Sequence, residues 1–148
     1  MSFLSGFIAI IGPPNAGKST LLNKLIGHKI AITSPKPQTT RNRVLGICNG
    51  NNYQMIFMDT PGIHKTKSML HKSMVKSAET TLMEVDIVLL VVSLSEDIHS
   101  DNMKIVLWHL NNSDKPIILA VNKIDLTKKE TLLPIIAVSY THLTLPTN

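Results

Sequence analysis

The sequence predicts an α/β fold with a mostly parallel sheet and one antiparallel hairpin strand, and three observations carry that reading. Short apolar runs alternate with segments whose leucines and isoleucines recur at helical spacing. The first run passes into the first helix through a glycine-rich loop, "GPPNAGKST". Two neighbouring runs, "VLGIC" and "YQMIFMD", are separated only by "NGNN", a turn that folds them back on each other.

Each element has a local reason. "GFIAIIG" is a continuous apolar run ending in glycine, as expected of a strand buried on both faces. "KSTLLNKLIG" sets Leu21, Leu22, Leu25 and Ile26 on one helical face, and Gly27 stops it. "HKIAITSPKPQTTRNR" follows, where Pro35 and Pro37 disfavour helix, so it reads as a long loop of the kind that often carries function. The hairpin comes next, then an amphipathic helix over Lys67 to Leu82. "DIVLLVV" is a second buried strand, Asp101 to Leu110 a helix, and "PIILAVN" a third buried strand. Strands alternating with helices imply right-handed crossovers between parallel strands.

With 148 residues, 43% of them hydrophobic, the chain can bury one core and form a single domain. Aromatics are only 4%, so that core must be built of Ile, Leu, Val and Met. The net charge of +5 is read first as a solvated surface, with phosphate or nucleic-acid binding as the lesser reading. Cys48 is the one cysteine, which excludes an internal disulfide and points to a reducing compartment, with the thiol as buried filler. No apolar run is long enough to cross a bilayer. "FLSGFIAIIG" lacks a basic flank and a small-residue cleavage site, so it is a core strand rather than a signal peptide.

Gly12 to Ser19 fits G-x-x-x-x-G-K-[ST] with a strand before it and a helix after it, the context such a loop needs. The glycines let successive backbone N–H groups turn inward, and the helix N-terminus adds a positive dipole end. Lys18 can neutralise β and γ oxygens, and the Ser19 hydroxyl suits Mg²⁺. A chance glycine-rich turn would not need those flanks. The loop holds a phosphate chain.

"VNKID" closes the last buried run, at the strand end where ligands of open α/β sheets bind. Asp125 offers two acceptor oxygens that match the N1–H and exocyclic amine of guanine. Asn122 can bond the opposite edge of the base or brace the phosphate loop, and the Lys123 stem can lie across the ring. Adenine would leave Asp125 desolvated and unpaired, a mismatch that can discriminate by about 10⁴ to 10⁵. Alone, "NKID" often just ends a strand; after a phosphate loop and "DTPG" it specifies a guanine nucleotide.

In "DTPG", Asp59 can support Mg²⁺ through its water shell and Gly62 lets a backbone N–H approach a γ-phosphate, although an ordinary turn would also suit these residues. Thr39 and Thr40 lie in the long polar loop, where one hydroxyl could complete the Mg²⁺ shell and let go after hydrolysis. His28, His64, His71 and His99 lack metal-ligand spacing. Lys65, Lys67, Lys72 and Lys76 form a basic patch, read as solvated helix before rRNA contact.

Taken together, "GFIAIIGPPNAGKSTLLNKLIG", "KIAITSPKPQTTRNR", "IFMDTPGIHK" and "NKIDL" resemble the GTPase domain of the bacterial Era-type ribosome-assembly GTPases, over about Ser5 to Ala137. "ITSPKPQTTRNR" is the part that separates this group from tRNA-modifying and tandem-domain relatives. The resemblance implies a P-loop NTPase, small-GTPase-like three-layer fold, incomplete at its C-terminal end. It implies a cytoplasmic GTP-hydrolysing monomer that binds 16S rRNA and helps mature the small ribosomal subunit, with peripheral association at the inner membrane as a further option. A switch acting at a membrane is disfavoured by the lack of a long apolar or lipidated segment. Nucleotide contacts would fall on Gly12, Asn15, Ala16, Gly17, Lys18, Ser19, Thr20, Asn122, Lys123 and Asp125, with Thr39, Thr40, Asp59 and Gly62 as switch positions. Ser19, Thr40 and Asp59 would serve Mg²⁺, and Lys18, Asn15, Thr40 and Gly62 the chemistry.

Ile63 stands where many small GTPases carry the glutamine that orients the attacking water. In related GTPases with a hydrophobic residue there, a phosphate-loop asparagine helps bind K⁺, and Asn15 matches it. Slow, K⁺-stimulated hydrolysis is the expectation; a guanine-nucleotide-dependent binding module with negligible turnover is the alternative. Two departures matter. The family's KH-type RNA-binding domain and its Ser-Ala guanine loop are not found, and "VSYTHLTLPTN" continues no periodicity. That tail resembles a translated library adapter, which leaves residues 1–137 as a partial GTPase domain and 138–148 as non-native. Without the last strand and helix, "PIILAVN" is expected to form an exposed apolar edge, with poor stability and weakened affinity as the result.

Overall fold

The computed structural model describes residues 2–27, 44–59, 79–93, 100–126, 130, 133 and 136–137. Five strands form one sheet: β1 (Leu4–Ile11), β2 (Val44–Asn49), β3 (Tyr53–Asp59), β4 (Ile87–Ser93) and β5 (Ile117–Asn122), in the order β2-β3-β1-β4-β5. The neighbours are parallel except for the β2–β3 hairpin. Helix α1 (Lys18–Ile26) follows β1, residues 79–84 are helical and form α2, and α3 (Asp101–Asn111) precedes β5. The rest of the helix expected from Lys67 lies outside the described residues, as do the long polar loop, the four histidines and the lysine patch.

The ends of the elements follow local chemistry. Helix α1 starts at Gly17 and stops at Gly27, both left-handed (φ 96° and 85°), and the Gly27 N–H bonds the Asn23 carbonyl at 3.1 Å. Ser100 caps α3 by accepting from the Met103 N–H at 3.3 Å, and Asp101 adds a carboxylate to the first turn. Asn112 ends it, its Nδ2 donating to the Trp108 carbonyl at 2.7 Å. In the hairpin, a Cβ at Gly50 would meet the ring of Tyr53, which is exposed and would have to turn aside.

The core lies in two layers, one on each face of the sheet. One layer packs α2 and α3 residues (Leu82, Met103, Val106, Leu107, Leu110) against Ala9, Ile11, Met58, Val88, Leu90 and Val92. The other seats Leu22 of α1 and Ala16 against Ile10, Phe57 and Val91. His109, buried in α3, is tied to Glu79 of α2 with Nδ1 3.3 Å from Oε1, which satisfies a polar ring that would otherwise be costly to bury. Asp86 locks the start of β4 to β1: its Oδ2 accepts the Phe7 N–H at 2.8 Å, and its own N–H reaches the Phe7 carbonyl at 2.9 Å.

Three expectations need correcting. β1 is buried on both faces only in its C-terminal half, since Leu4 and Phe7 are exposed. Cys48 is half-buried, because it sits on the outer strand β2. β5 is not a fully buried strand. It lies at the edge of the described sheet, none of its residues is fully buried, and Ile118 is 54% exposed, which agrees with the apolar edge expected from the sequence. No helix among the described residues is long and apolar enough to cross a membrane.

Candidate functional site

The site is built where β1, β3 and β5 end on the same side of the sheet. Ile10 pairs with Asp59 in the parallel ladder, so β3 finishes beside the start of the Gly12 loop. Gly12 lies so close to β4 that an added Cβ would overlap the Val91 carbonyl. The loop then turns through Asn15, which is left-handed (φ 61°) and exposed, and the Ala16 N–H reaches back to the Pro13 carbonyl at 3.4 Å. Asparagine tolerates that conformation better than most residues.

Gly17 opens α1. The Leu21 N–H makes the first intrahelical bond, to the Gly17 carbonyl at 2.9 Å. The N–H groups of Gly17, Lys18, Ser19 and Thr20 therefore precede the helical ladder, at the positive end of its dipole. This is the arrangement that binds anions at a helix N-terminus. Lys18 is buried, 7% exposed, and its ammonium donates to the Pro13 carbonyl at 2.8 Å. A buried cation thus sits at the loop, with the Pro13 carbonyl among its partners.

β5 brings in the second segment. Asn122 ends the strand, and its Nδ2 donates to the Ala16 carbonyl at 2.9 Å. Lys123 is left-handed (φ 56°), and its ammonium donates to the Asn15 carbonyl at 2.7 Å. Asp125 follows in the short 3₁₀ turn Ile124–Leu126, exposed, with the turn closed by the Leu126 N–H on the Lys123 carbonyl at 3.1 Å. The structure therefore assembles Gly12, Asn15, Ala16, Gly17, Lys18, Ser19, Thr20, Asn122, Lys123 and Asp125 at one end of the sheet. Of the two roles open to Asn122, it makes the brace to the phosphate loop. Thr39, Thr40, Gly62 and Ile63 lie outside the described residues, and Asp59 is placed by its backbone alone.

Sequence reasoning missed the Pro13 carbonyl that holds Lys18 and the Val91 carbonyl that forbids a side chain at Gly12. Both are backbone atoms, which every residue type carries, so no residue identity signalled them. Among the described residues no group of three or more His, Cys, Asp or Glu could hold a metal.

Residues 7–123 match the family described as 50S ribosome-binding GTPase, a span that runs from β1 through the phosphate loop to Lys123. The chain belongs to this GTPase family. Within it, the chain is 54% identical to GTPase Era of Geotalea uraniireducens (strain Rf4) over 136 residues, covering 91% of this chain and 45% of that protein. It thus spans about half the length of the curated relatives it matches. Among solved structures, an Era in complex with MgGDPNP and nucleotides 1506–1542 of 16S ribosomal RNA superposes with a TM-score of 0.86. Its identity is 41%, over 96% of this chain and 49% of that one. A variant of Aquifex aeolicus Era bound to GDP and AlF4⁻ gives 0.84 at 42% identity, covering 93% and 47%. The Era-type resemblance and the mixed, mostly parallel P-loop GTPase sheet expected from the sequence are both borne out.

Proposed function

We propose that this chain is the GTP-binding and GTP-hydrolysing domain of an Era-type switch, and that the native protein acts in the cytoplasm on 16S rRNA during small-subunit assembly. One observation carries the nucleotide reading: Asn122 and Lys123, more than a hundred residues along the chain, bond the carbonyls of Ala16 and Asn15. That contact joins the phosphate loop to the segment suited to guanine. The rRNA reading is supported by the Era–16S rRNA neighbour, at 41% identity. The domain corresponds to residues 1–137, and 138–148 stand outside it.

In this reading the N–H groups of Gly17 to Thr20 receive the β- and γ-phosphate oxygens, and Lys18 leaves the Pro13 carbonyl to pair with them. Asp125 accepts from guanine N1–H and the exocyclic amine, while the Lys123 stem lies along the ring. Ser19, Thr40 and Asp59 would hold Mg²⁺. Their oxygen donors suit a hard cation, and Ser19 in the first turn of α1 and Asp59 beside Ile10 lie at the same end of the sheet. Bound there, Mg²⁺ would neutralise charge on the β- and γ-phosphates. Calorimetric titration with GDP and with ADP, each with Mg²⁺, tests the site. GDP should bind and ADP should not; equal binding, or binding of neither, overturns the reading.

Ile63 cannot orient a water by hydrogen bonding, so hydrolysis is slow; Asn15, exposed in the loop, would help hold K⁺, which would supply positive charge to the transition state. Phosphate release should be faster in KCl than in NaCl of equal ionic strength, and Asn15→Ala should remove that difference. Equal rates in the two salts would eliminate the K⁺ role. Ile63 also favours a second reading, a binding module with negligible turnover. A single-turnover assay separates the two.

A further inference from the structure

The outer edge of β2 is built to be paired. Among the described residues β2 bonds only β3, in an unbroken antiparallel register from Val44↔Asp59 to Asn49↔Gln54. The Gly50 N–H donates to the Tyr53 carbonyl at 2.9 Å, which makes those two a hydrogen-bonded pair. Bonded and non-bonded pairs alternate along an antiparallel ladder, so Cys48 and Gly46 also bond towards β3. Leu45, Ile47 and Asn49 therefore turn their N–H and C=O groups to the outer edge.

Exposed edges are commonly blocked by lysine, proline, an inward charge or a bulge. β2 carries none of these. From Val44 to Met58 there is no Lys, Arg, His, Asp, Glu or Pro, in a chain with 15 basic and 10 acidic residues. Ile47, at the middle of the edge, is 52% exposed. It lies opposite Ile56, and Ile56 lies opposite Phe7, so the three share one face and form an apolar row across β2, β3 and β1.

We propose that this edge pairs with the same edge of a second copy of the chain, antiparallel about a two-fold axis at Ile47. In that register the strand is complementary to itself. Ile47 faces Ile47 of the second copy, and Leu45 of each copy faces Asn49 of the other, so every outward N–H and C=O finds a partner. A slipped register leaves Leu45 or Asn49 unpaired. No charge opposes a charge, and the two apolar rows join end to end, which takes Ile47 out of water on both copies. The other edge, β5, is the side on which the sequence leads one to expect a further strand. With the axis at mid-strand, the two nucleotide ends lie at opposite ends of the joined sheet. The pairing is independent of the nucleotide reading, and it departs from the monomer that the family resemblance implies.

Sedimentation velocity over a wide range of concentration tests the pairing. The unmodified chain should pass from monomer to dimer. Ile47→Lys should weaken the dimer about tenfold or more, because two ammonium groups then meet at the axis. Ile47→Glu should do the same, and an equimolar mixture of the two variants should recover the dimer, which a general loss of structure could not produce. Asn49→Pro, which removes one outward N–H and leaves the ladder to β3 intact, should also weaken it. Ile118→Lys, on β5, should leave the dimer unchanged. GDP affinity of Ile47→Lys should match that of the unmodified chain, which confirms that the variant is folded. A chain that stays monomeric at every concentration overturns the proposal. So does a dimer that survives both Ile47→Lys and Asn49→Pro, a dimer broken by Ile118→Lys alone, or a mixture of the charged variants that remains monomeric.

Discussion

Replacing Gly17 by alanine should abolish tight nucleotide binding, whereas the same change at Gly27 should leave it intact. The two glycines bound the same helix and have nearly the same backbone, φ 96° and 85°. Each alanine therefore incurs the left-handed penalty of about 1 kcal/mol. Their surroundings differ. A Cβ at Gly27 meets nothing within 4 Å, while at Gly17 it falls onto the Asn122 amide. Gly27→Ala should lower stability by about 1 kcal/mol and leave GDP affinity unchanged. Gly17→Ala must also push Asn122 off the Ala16 carbonyl or tilt the start of α1 away from the phosphates. The expected loss of GDP affinity is on the order of hundredfold or more, about 3 kcal/mol. Titration calorimetry on both variants, with circular dichroism to confirm folding, reads the contrast. Equal GDP affinities would mean that the loop does not depend on the approach of Asn122.

The same residues show how far the sequence reaches. Gly12, Gly17, Lys18 and Ser19 were legible because the motif fixes their spacing, and the strand and helix around them follow from apolar periodicity. The long-range contact was legible only as an alternative. Asn122 has donors and an acceptor suited to either a base edge or a backbone carbonyl, and nothing in its neighbours chooses between them. The left-handed Lys123 had no signal, because lysine is a poor residue for that conformation and only the bond to Asn15 explains it. β5 carries a related ambiguity, legible both as a buried run and as an exposed apolar edge. "PIILAVN" is as apolar as an interior strand, and apolarity records what a strand can bury against, whereas the exposure of Ile118 records what is beside it.

Leu22→Ala should be the most destabilising single truncation on α1, because that residue connects the core to the loop. Leu22 is fully buried and packs in one cluster with Ile10, Phe57, Val91 and Ala16. Its removal loses the transfer energy of the missing carbons and leaves a cavity, about 3 kcal/mol or more. For a chain of this size that lowers the unfolding midpoint by roughly 10 °C. Leu25, one turn on, is 42% exposed, so its truncation should cost about 1 kcal/mol or less. Urea unfolding of both variants tests the difference, provided the m-values agree. Similar losses would show that α1 is not seated on the sheet through Leu22. A further consequence separates a packing defect from a site defect. Ala16 belongs to the same cluster, and its carbonyl receives the Asn122 amide. A cavity under Ala16 gives that carbonyl room to move, so Leu22→Ala should weaken GDP binding while Leu25→Ala does not. The hydrophobic contact that holds α1 down and the hydrogen bond that shapes the loop meet on one residue, which is why an apolar substitution with no access to ligand should still be felt there.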